Sequence, residues 1–325
     1  MFNFPKFLMK TVKKYTVKRY CSDDFALWND FISQANNATF LFDRNFMEYH
    51  SNRFQDFSLL VFEEDILQAV VPANYIDNQI FSHQGLTYGG FVFRNEFPLG
   101  QIEAVLSETF NFLQSQGFVQ LVIKAMLPFY APDFLGEMQQ VLSNKQAEII
   151  GQKMNLAIDF QSDYTISKSK LKHYRRLQSE GLVVKKEADC TVFWQQVLDP
   201  LLLEKYQTKP LHSLAEINSL QSKFPNHIEQ YNVYRDGEIL AGITLFKTAR
   251  VVKSQYGATT ENGKKFRALD YLFLYLINHF KADYHYFDMG TVDDNSELGY
   301  NEGLLNQKKE LGCSVYSQNI FQIAL

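Results

Sequence analysis

The pattern of hydrophobic and polar positions is clearest in the stretch 231–290, where it predicts strands on either side of one helix. Two segments, 231–234 and 238–247, have the pattern of short strands. The dipeptide Asp236-Gly237 lies between them and accepts the positive φ of a tight hairpin turn. The stretch is therefore predicted to begin as a β-hairpin.

The same stretch continues as a strand at 251–258, a loop at 259–266, a helix and a further strand at 284–289 that Gly290 ends. Apolar residues recur on one face of that helix at helical spacing: Leu269, Leu272, Phe273, Leu276 and Phe280. The loop before the helix is basic. Since unpaired N–H groups and the macrodipole at a helix N-terminus favour phosphate, a pocket for a phosphorylated cofactor is predicted there.

The rest of the chain has the pattern of further strands and helices. Strands are predicted at 11–20, 58–63, 66–73, 80–93, 119–125, 152–160 and 182–186. Helices are predicted at 24–35, 45–54, 99–116, 134–142, 166–180, 193–206 and 214–224.

The order of these elements repeats along the chain. The hairpin at 59–73 corresponds to the hairpin described first, and 83–90 falls where 253–257 falls, each carrying Tyr-Gly. We interpret this as an internal duplication, although a chance echo within a long α/β chain is the alternative. The predicted fold class is α/β with mixed sheets, in two tandem domains: 1–162 and 163–325.

Composition excludes several classes of protein. An aromatic share of 15%, with 29 Phe, excludes disorder, and a net charge of -4 gives no global attraction to nucleic acid or an anionic membrane. Neither a signal peptide nor a run of eighteen apolar residues is present. The three cysteines lack metal-ligand spacing. We therefore expect a cytoplasmic protein without a bound metal, a nucleic-acid partner or a membrane partner.

Four stretches of the second half carry a resemblance to a known superfamily: 172–184, 236–242, 286–290 and 303–312. In this order they resemble the Gcn5-related N-acetyltransferase (GNAT) superfamily in its twin-domain, FemABX-like form. The sequence is similar, within that form, to bacterial N-acyltransferases of nucleotide-linked amino sugars. The resemblance implies acyl-coenzyme A as co-substrate, with 3-hydroxybutanoyl as the acyl group. The implied acceptor is a dTDP-3-amino-3,6-dideoxyhexose for surface polysaccharide.

The loop 261–267 is where the resemblance implies contacts with coenzyme A. The superfamily's pyrophosphate loop usually has an arginine or glutamine followed by two spaced glycines, whereas this loop has one glycine. The predicted contacts are Gly263, Lys264, Lys265 and Arg267.

Four residues are candidates for the chemistry of acyl transfer to an amine, which needs a neutral amine, oxyanion donors and a proton route. Asp288 ends a strand and could hold or deprotonate the amine, or merely cap the following loop. Lys308 could stabilise the oxyanion or belong to a solvated face. Tyr256 could donate to the thiolate or the carbonyl, or be core. His83 could be a general base or a satisfied loop residue.

Substrate contacts are predicted on the basic helix 166–180. Arg175 or Arg176 could bind a diphosphate bidentately, and Lys172 lies nearby, although a solvated charged face is the alternative. In the first half, three residues are candidates for sugar or base contacts: Arg44, Tyr49 and Tyr88.

Two further functions stay open. The first is the FemABX reaction, in which aminoacyl-tRNA donates an amino acid to a peptidoglycan precursor, and which requires a larger basic surface for RNA. The second is a non-catalytic twin module that binds a nucleotide sugar or a protein partner. The single glycine of the loop 261–267 fits that second function.

Overall fold

The computed structural model describes residues 15–94, 98–294 and 296–325. Its helices are α1 (Phe25–Gln34), α2 (Arg44–Met47), α3 (Leu99–Ser115), α4 (Pro132–Asn144), α5 (Lys168–Leu177), α6 (Thr191–Phe193), α7 (Asp199–Tyr206), α8 (Leu214–Lys223), α9 (Glu261–Lys265), α10 (Ala268–Phe280) and α11 (Glu302–Glu310). A π-helical segment, Trp194–Leu198, joins α6 to α7.

The strands are β1 (Tyr15–Arg19), β2 (Gln55–Asp56), β3 (Leu59–Glu63), β4 (Ile66–Val71), β5 (Asn74–Ile76), β6 (Gln79–Phe81), β7 (Val92–Phe93), β8 (Gln120–Lys124), β9 (Glu148–Asp159), β10 (Val183–Glu187), β11 (Ile228–Arg235), β12 (Glu238–Lys247), β13 (Val251–Thr259), β14 (Tyr286–Thr291) and β15 (Ser314–Ala324). The predicted hairpin is confirmed as β11 and β12. The start of the strand predicted at 11–20 lies outside the described residues.

Two sheets carry the fold, which confirms the predicted mixed α/β class. A 4-stranded sheet has the order β1-β3-β4-β7, and an 11-stranded sheet has the order β10-β11-β12-β13-β14-β9-β15-β8-β6-β5-β2. In the larger sheet, β13 pairs with β14 in parallel and β6 pairs with β8 in parallel. One side of the larger sheet thus consists of strands from the second half, and the other side consists of strands from the first half.

The closing strands of the two halves have exchanged neighbours. β9, from the first half, pairs with β14 of the second half, so that Ala157 lies opposite Asp288. β15, from the second half, pairs with β8 of the first half, so that Ile320 lies opposite Lys124. β9 and β15 also pair with each other. The centre of the sheet therefore contains strands from both halves.

An aromatic cluster packs the two halves together away from the sheet centre. Phe40 of the first half lies with its ring centroid 5.5 Å from the rings of both Phe224 and Phe246. Phe46 lies 6.0 Å from the ring of Phe246. Because such rings bury a large apolar area, this contact fixes the halves against each other. Side chains at the junction of the two halves are therefore held in a defined geometry.

The strands β13 and β14 diverge after a short parallel contact. Residues 251–253 pair with residues 286–288, and the rest of each strand has no partner in the other. In the first half, β6 and β8 pair over 79–81, and the strand pairing is then interrupted by a loop, residues 83–88, until Gly89 bridges Ala125. The separation of β13 from β14 and the interruption between β6 and β8 border the same space.

Candidate active site

A cavity of about 490 Å³ fills the space between the diverging strands. The first half contributes residues 84–87 of the loop 83–88 to the cavity wall, and the second half contributes 253–255 of β13 and 289–291 of β14. This volume lies within the range of small-molecule sites, roughly 300–1,000 Å³. The cavity is the natural candidate for an active site.

Three lysines give the cavity a positive charge: Lys124, Lys153 and Lys253 all border it. The Nζ of Lys124 donates to the carbonyl oxygen of Leu86 at 3.0 Å. Burial lowers the pKa of Lys124 to about 8, and repulsion from the other two ammonium groups adds to this shift. The three charges are therefore close enough to interact, and an anionic group in the cavity would neutralise them.

Asp288 lies beneath the cavity rather than on its wall, and it is fully buried. Its carboxylate accepts from the Tyr130 hydroxyl at 2.8 Å, the Asn155 amide at 2.8 Å and the Gly290 N–H at 2.7 Å. The Nζ of Lys253 lies 3.3 Å away. Burial by itself would raise the pKa of Asp288, but Lys253 and the donors outweigh it and hold that pKa below its usual value. Asp288 thereby fixes two wall residues, Asn155 and Lys253.

The part of β14 that borders the cavity is a bulge. The register of β14 against β9 shifts between Asp288 and Thr291, and Gly290 has φ +74°. The Nζ of Lys308 donates to the carbonyl oxygens of Gly290 at 3.1 Å and Thr291 at 2.9 Å. Burial lowers the pKa of Lys308 to about 8. The structure thus places Lys308 behind the bulge, where it holds the backbone.

A stack of aromatic and imidazole rings forms a further part of the cavity wall. The ring of Tyr49 lies 4.2 Å from the ring of His50 and 4.8 Å from the ring of His212, centroid to centroid. These three residues border the cavity. His83 stacks behind His50 at 5.0 Å. Tyr256 places its hydroxyl 2.6 Å from the Nδ1 of His212.

The histidines in this stack are neutral at pH 7. Burial lowers the pKa of His83 to about 3 and that of His212 to about 4, and it also lowers the pKa of His50. His83, the predicted general base, does not border the cavity and occupies the positive-φ region at +64°. With such a pKa, His83 would be a weak base at neutral pH.

Two predicted substrate contacts of the first half lie inside that half rather than in the cavity. The guanidinium of Arg44 pairs with Asp56 at 2.6 Å and stacks over the Tyr20 ring at 3.3 Å and the Trp28 ring at 4.4 Å. The hydroxyl of Tyr88, also buried, lies 3.2 Å from a threonine hydroxyl of the same half. Of the three first-half candidates, Tyr49 borders the cavity.

The loop predicted to hold coenzyme A contains the short helix α9. The hydroxyl of its cap residue, Thr260, accepts from the Gly263 N–H at 2.9 Å, and the Thr260 carbonyl accepts from the Lys264 N–H at 2.9 Å. A Cβ at Gly263 would lie 2.0 Å from the carbonyl oxygen of Leu240. Glycine is therefore required here by packing, and two loop amides are already used within the turn.

The remaining cations predicted for ligands lie on an exposed surface outside the cavity. Lys172, Arg175 and Arg176 are exposed on α5, and Lys264, Lys265 and Arg267 are exposed at α9 and just after it. The Nε2 of His173 lies 3.1 Å from the carbonyl oxygen of Phe266. This contact brings α5 beside the loop, so the six cations form one region, called here the basic surface.

The part of the chain that the structure describes has neither a cluster of metal ligands nor a helix suited to span a membrane. No three His, Cys, Asp or Glu side chains gather there in a way that could hold a metal ion. None of the helices in that part combines the length and the apolarity needed to cross a bilayer.

No family model and no curated protein matches this sequence. Among solved structures, FemX is similar over 95% of this chain and 97% of its own, at 11% identity and a TM-score of 0.67. The C-terminal domain of a putative lysylphosphatidylglycerol synthetase from Agrobacterium fabrum covers 93% of this chain and 91% of its own, at 12% identity and a TM-score of 0.59.

L-PGS from Bacillus licheniformis is also similar, over 78% of this chain and 80% of its own, at 14% identity and a TM-score of 0.54. At such identities the similarity concerns the fold. The chain therefore has the FemX-like fold, which agrees with the predicted twin arrangement of GNAT-like units.

Proposed function

We propose that this protein transfers an acyl group from an activated carrier to an amine, within the cavity between its two halves. The observation that carries this proposal is the position of Lys124, Lys153 and Lys253 around the space where β13 and β14 diverge. The fold shared with FemX and with synthetases of lysylphosphatidylglycerol supports a group-transfer reaction. Because fold alone does not define substrates, the substrates are inferred from the side chains that line the cavity.

The proposed acceptor is the amine of a nucleotide-linked amino sugar. Its diphosphate would lie against the three lysines, because an ammonium cluster that repels itself gains most from a multiply charged anion. Tyr49 and His50 are inner members of the ring stack, so they would present ring edges and polar atoms, rather than ring faces, to a sugar or a base. The acceptor would then be held by the lysines through charge and by the ring edges through contact.

The proposed donor is an acyl-coenzyme A, with its thioester between the bulge 289–291 and the ring of His212. The amine attacks the carbonyl carbon, the C–S bond then breaks, and the thiolate takes up a proton lost by the amine. Lys308 would act by fixing the bulge. Asp288 would act through Lys253 and Asn155, which it orients.

A second candidate donor is aminoacyl-tRNA. The basic surface made by α5 and the loop around α9 favours it, since RNA binding depends on exposed cations that contact phosphates. The α9 turn also favours aminoacyl-tRNA. The backbone N–H groups of Gly263 and Lys264 are hydrogen-bonded within this turn, so they are not free to bind the pyrophosphate of coenzyme A. Either donor would deliver its acyl group to the same cavity.

The decisive experiment offers both donors to the purified protein. Acyl-coenzyme A of several chain lengths and aminoacyl-tRNA are each mixed with a panel of amino-sugar nucleotides. Products are identified by mass spectrometry, and free thiol is followed in parallel. Cys21 is exposed while Cys190 and Cys313 are buried, so the protein's own thiol signal can be subtracted.

Thiol release with an acylated sugar nucleotide supports the first donor, and RNA-dependent product without thiol supports the second. Absence of product with every pair, together with tight nucleotide-sugar binding, would establish a binding module instead. The control pair is Lys153→Met, on the cavity wall, and Lys223→Met, exposed on α8. The first should reduce turnover and the second should not.

A further inference from the structure

His212 borders the cavity with one ring nitrogen bonded and the other without a partner. His212 is 4% exposed. The Nδ1 lies 2.6 Å from the hydroxyl of Tyr256, and the Nε2 has no hydrogen-bond partner among the described residues. A buried polar atom without a partner costs free energy, so its presence beside a cavity indicates a ligand group that completes it.

The contacts of Tyr256 determine which nitrogen carries the ring proton. Its hydroxyl oxygen accepts from the backbone N–H of His212 at 3.4 Å, and Nδ1 is the one acceptor within reach of the hydroxyl proton among the described residues, so an Nδ1–H donor would leave that buried proton without a partner. Nδ1 then acts as the acceptor, and the proton of a neutral ring resides on Nε2. Burial lowers the pKa of His212 to about 4, so the ring stays neutral at pH 7.

The orientation of the ring is also fixed. Tyr49 stacks on His212 with an interplanar angle of 23°, and the Phe246 ring meets it edge-on with centroids 6.1 Å apart. Together with the Tyr256 hydrogen bond, these contacts define both the plane of the imidazole and its rotation. A donor held in this way needs no reorganisation when charge develops nearby.

We propose that His212 donates a hydrogen bond from Nε2–H to the carbonyl oxygen of the acyl group while the amine attacks, and that Tyr256 positions His212 for this role. The inference rests on the proposed function. As the N–C bond forms, the carbonyl π electrons move to oxygen, and His212 stabilises the oxyanion without transferring its proton. When the tetrahedral intermediate collapses, the bond from carbon to the leaving group breaks and the carbonyl is restored.

The first test measures the tautomer in the free protein and needs no turnover. Nitrogen-15 NMR of the histidine side chains should show His212 neutral with its proton on Nε2 from about pH 5.5 to pH 8. In Tyr256→Phe the signals should shift toward a mixture of the two tautomers. An Nδ1–H tautomer, or a charged ring at pH 7, would overturn the inference.

The second test compares two amides at the same position. Gln in His212→Gln can place an N–H near the Nε2 position, whereas Asn in His212→Asn reaches only the Nδ1 position. We expect His212→Asn to lower kcat by about 100-fold with KM unchanged, the usual cost of removing an oxyanion donor. His212→Gln should keep roughly ten times more activity than His212→Asn.

The matched control is His279→Asn, because His279 is exposed on α10, and it should behave as wild type. Equal activity of His212→Gln and His212→Asn, or a change in KM alone, would contradict a donor role. If the wild-type protein transfers no acyl group from either donor class, the proposed function fails. The NMR test then still decides whether His212 presents an Nε2–H donor to the cavity.

Discussion

Lys253 and Asp288 lie opposite each other in the strand pairing, and their side chains also form an ion pair. They are the last paired residues of the parallel contact between β13 and β14, and the Lys253 Nζ lies 3.3 Å from the Asp288 carboxylate. Beyond this pair the two strands separate and the cavity begins. A buried carboxylate thus anchors the cation at the base of the cavity, where the strands part.

Replacing Asp288 by Asn should destabilise the protein and depress turnover. The substitution leaves Lys253 without its partner and turns one acceptor oxygen into a donor group, so we expect a loss of about 3–5 kcal/mol. Urea denaturation measures the loss. Asp236→Asn is the control, since the Asp236 side chain is 93% exposed in a hairpin turn. If Asp288→Asn keeps wild-type stability and turnover, this ion pair contributes to neither property.

Anion binding in the cavity should weaken as the pH rises through about 8. Below that pH the Lys124 ammonium is charged and attracts a phosphate, and above it the neutral amine does not, since the pKa of Lys124 is about 8. Calorimetric titration with inorganic diphosphate should give a lower affinity at pH 9 than at pH 7. Lys124→Met should flatten this dependence, while equal affinity of the wild type at both pH values would disprove it.

Gly263→Ala should destabilise the protein, because the new Cβ would lie 2.0 Å from a backbone oxygen that cannot move aside cheaply. Gly136→Ala, within α4, would meet no atom of the described residues within 4 Å and should instead stabilise by about 0.5–1 kcal/mol. Thermal melting of both variants provides the comparison. A neutral Gly263→Ala would show that the α9 turn can shift, which would reopen it as a site for coenzyme A.

The double substitution of Arg175 and Arg176 by Ala tests whether these residues bind the nucleotide sugar or RNA. The sequence predicts a higher KM for the nucleotide sugar, whereas their exposed position outside the cavity predicts no change. Binding of tRNA, if the basic surface serves that donor, should weaken and become less salt-dependent. Filter binding at several salt concentrations measures this, and a raised KM for the sugar would favour the sequence-based prediction.

The sequence predicts the local elements of the fold well, since their signals lie within a few residues. The hairpin strand at 238–247 has the observed bounds of β12, and the amphipathic spacing identifies α10. The helix predicted at 45–54 is shorter: α2 ends at Met47, and a tighter turn, Glu48–His50, follows. That turn directs Tyr49 and His50 toward the cavity, which is a tertiary effect without a local signal.

The candidate site is predicted less completely, because its residues meet through long-range pairing. Lys253 could have been found, since a parallel pairing of β13 with β14 places it beside Asp288. Lys124 and Lys153 lie on β8 and β9, and they approach β13 because β9 and β15 exchange neighbours. No spacing within the sequence indicates such an exchange. His212 lies in a short connection and carries no motif.

The place of β15 between β9 and β8 has a consequence for biosynthesis. A ribosome makes residues 314–324 after every other strand described here, yet they fill the middle of the larger sheet. Until those residues emerge, β8 and β9 each present an unpaired edge to the cell. Newly made chains would therefore present both edges from the synthesis of β9 until β15 emerges, and chaperones that shield strand edges would matter during that interval.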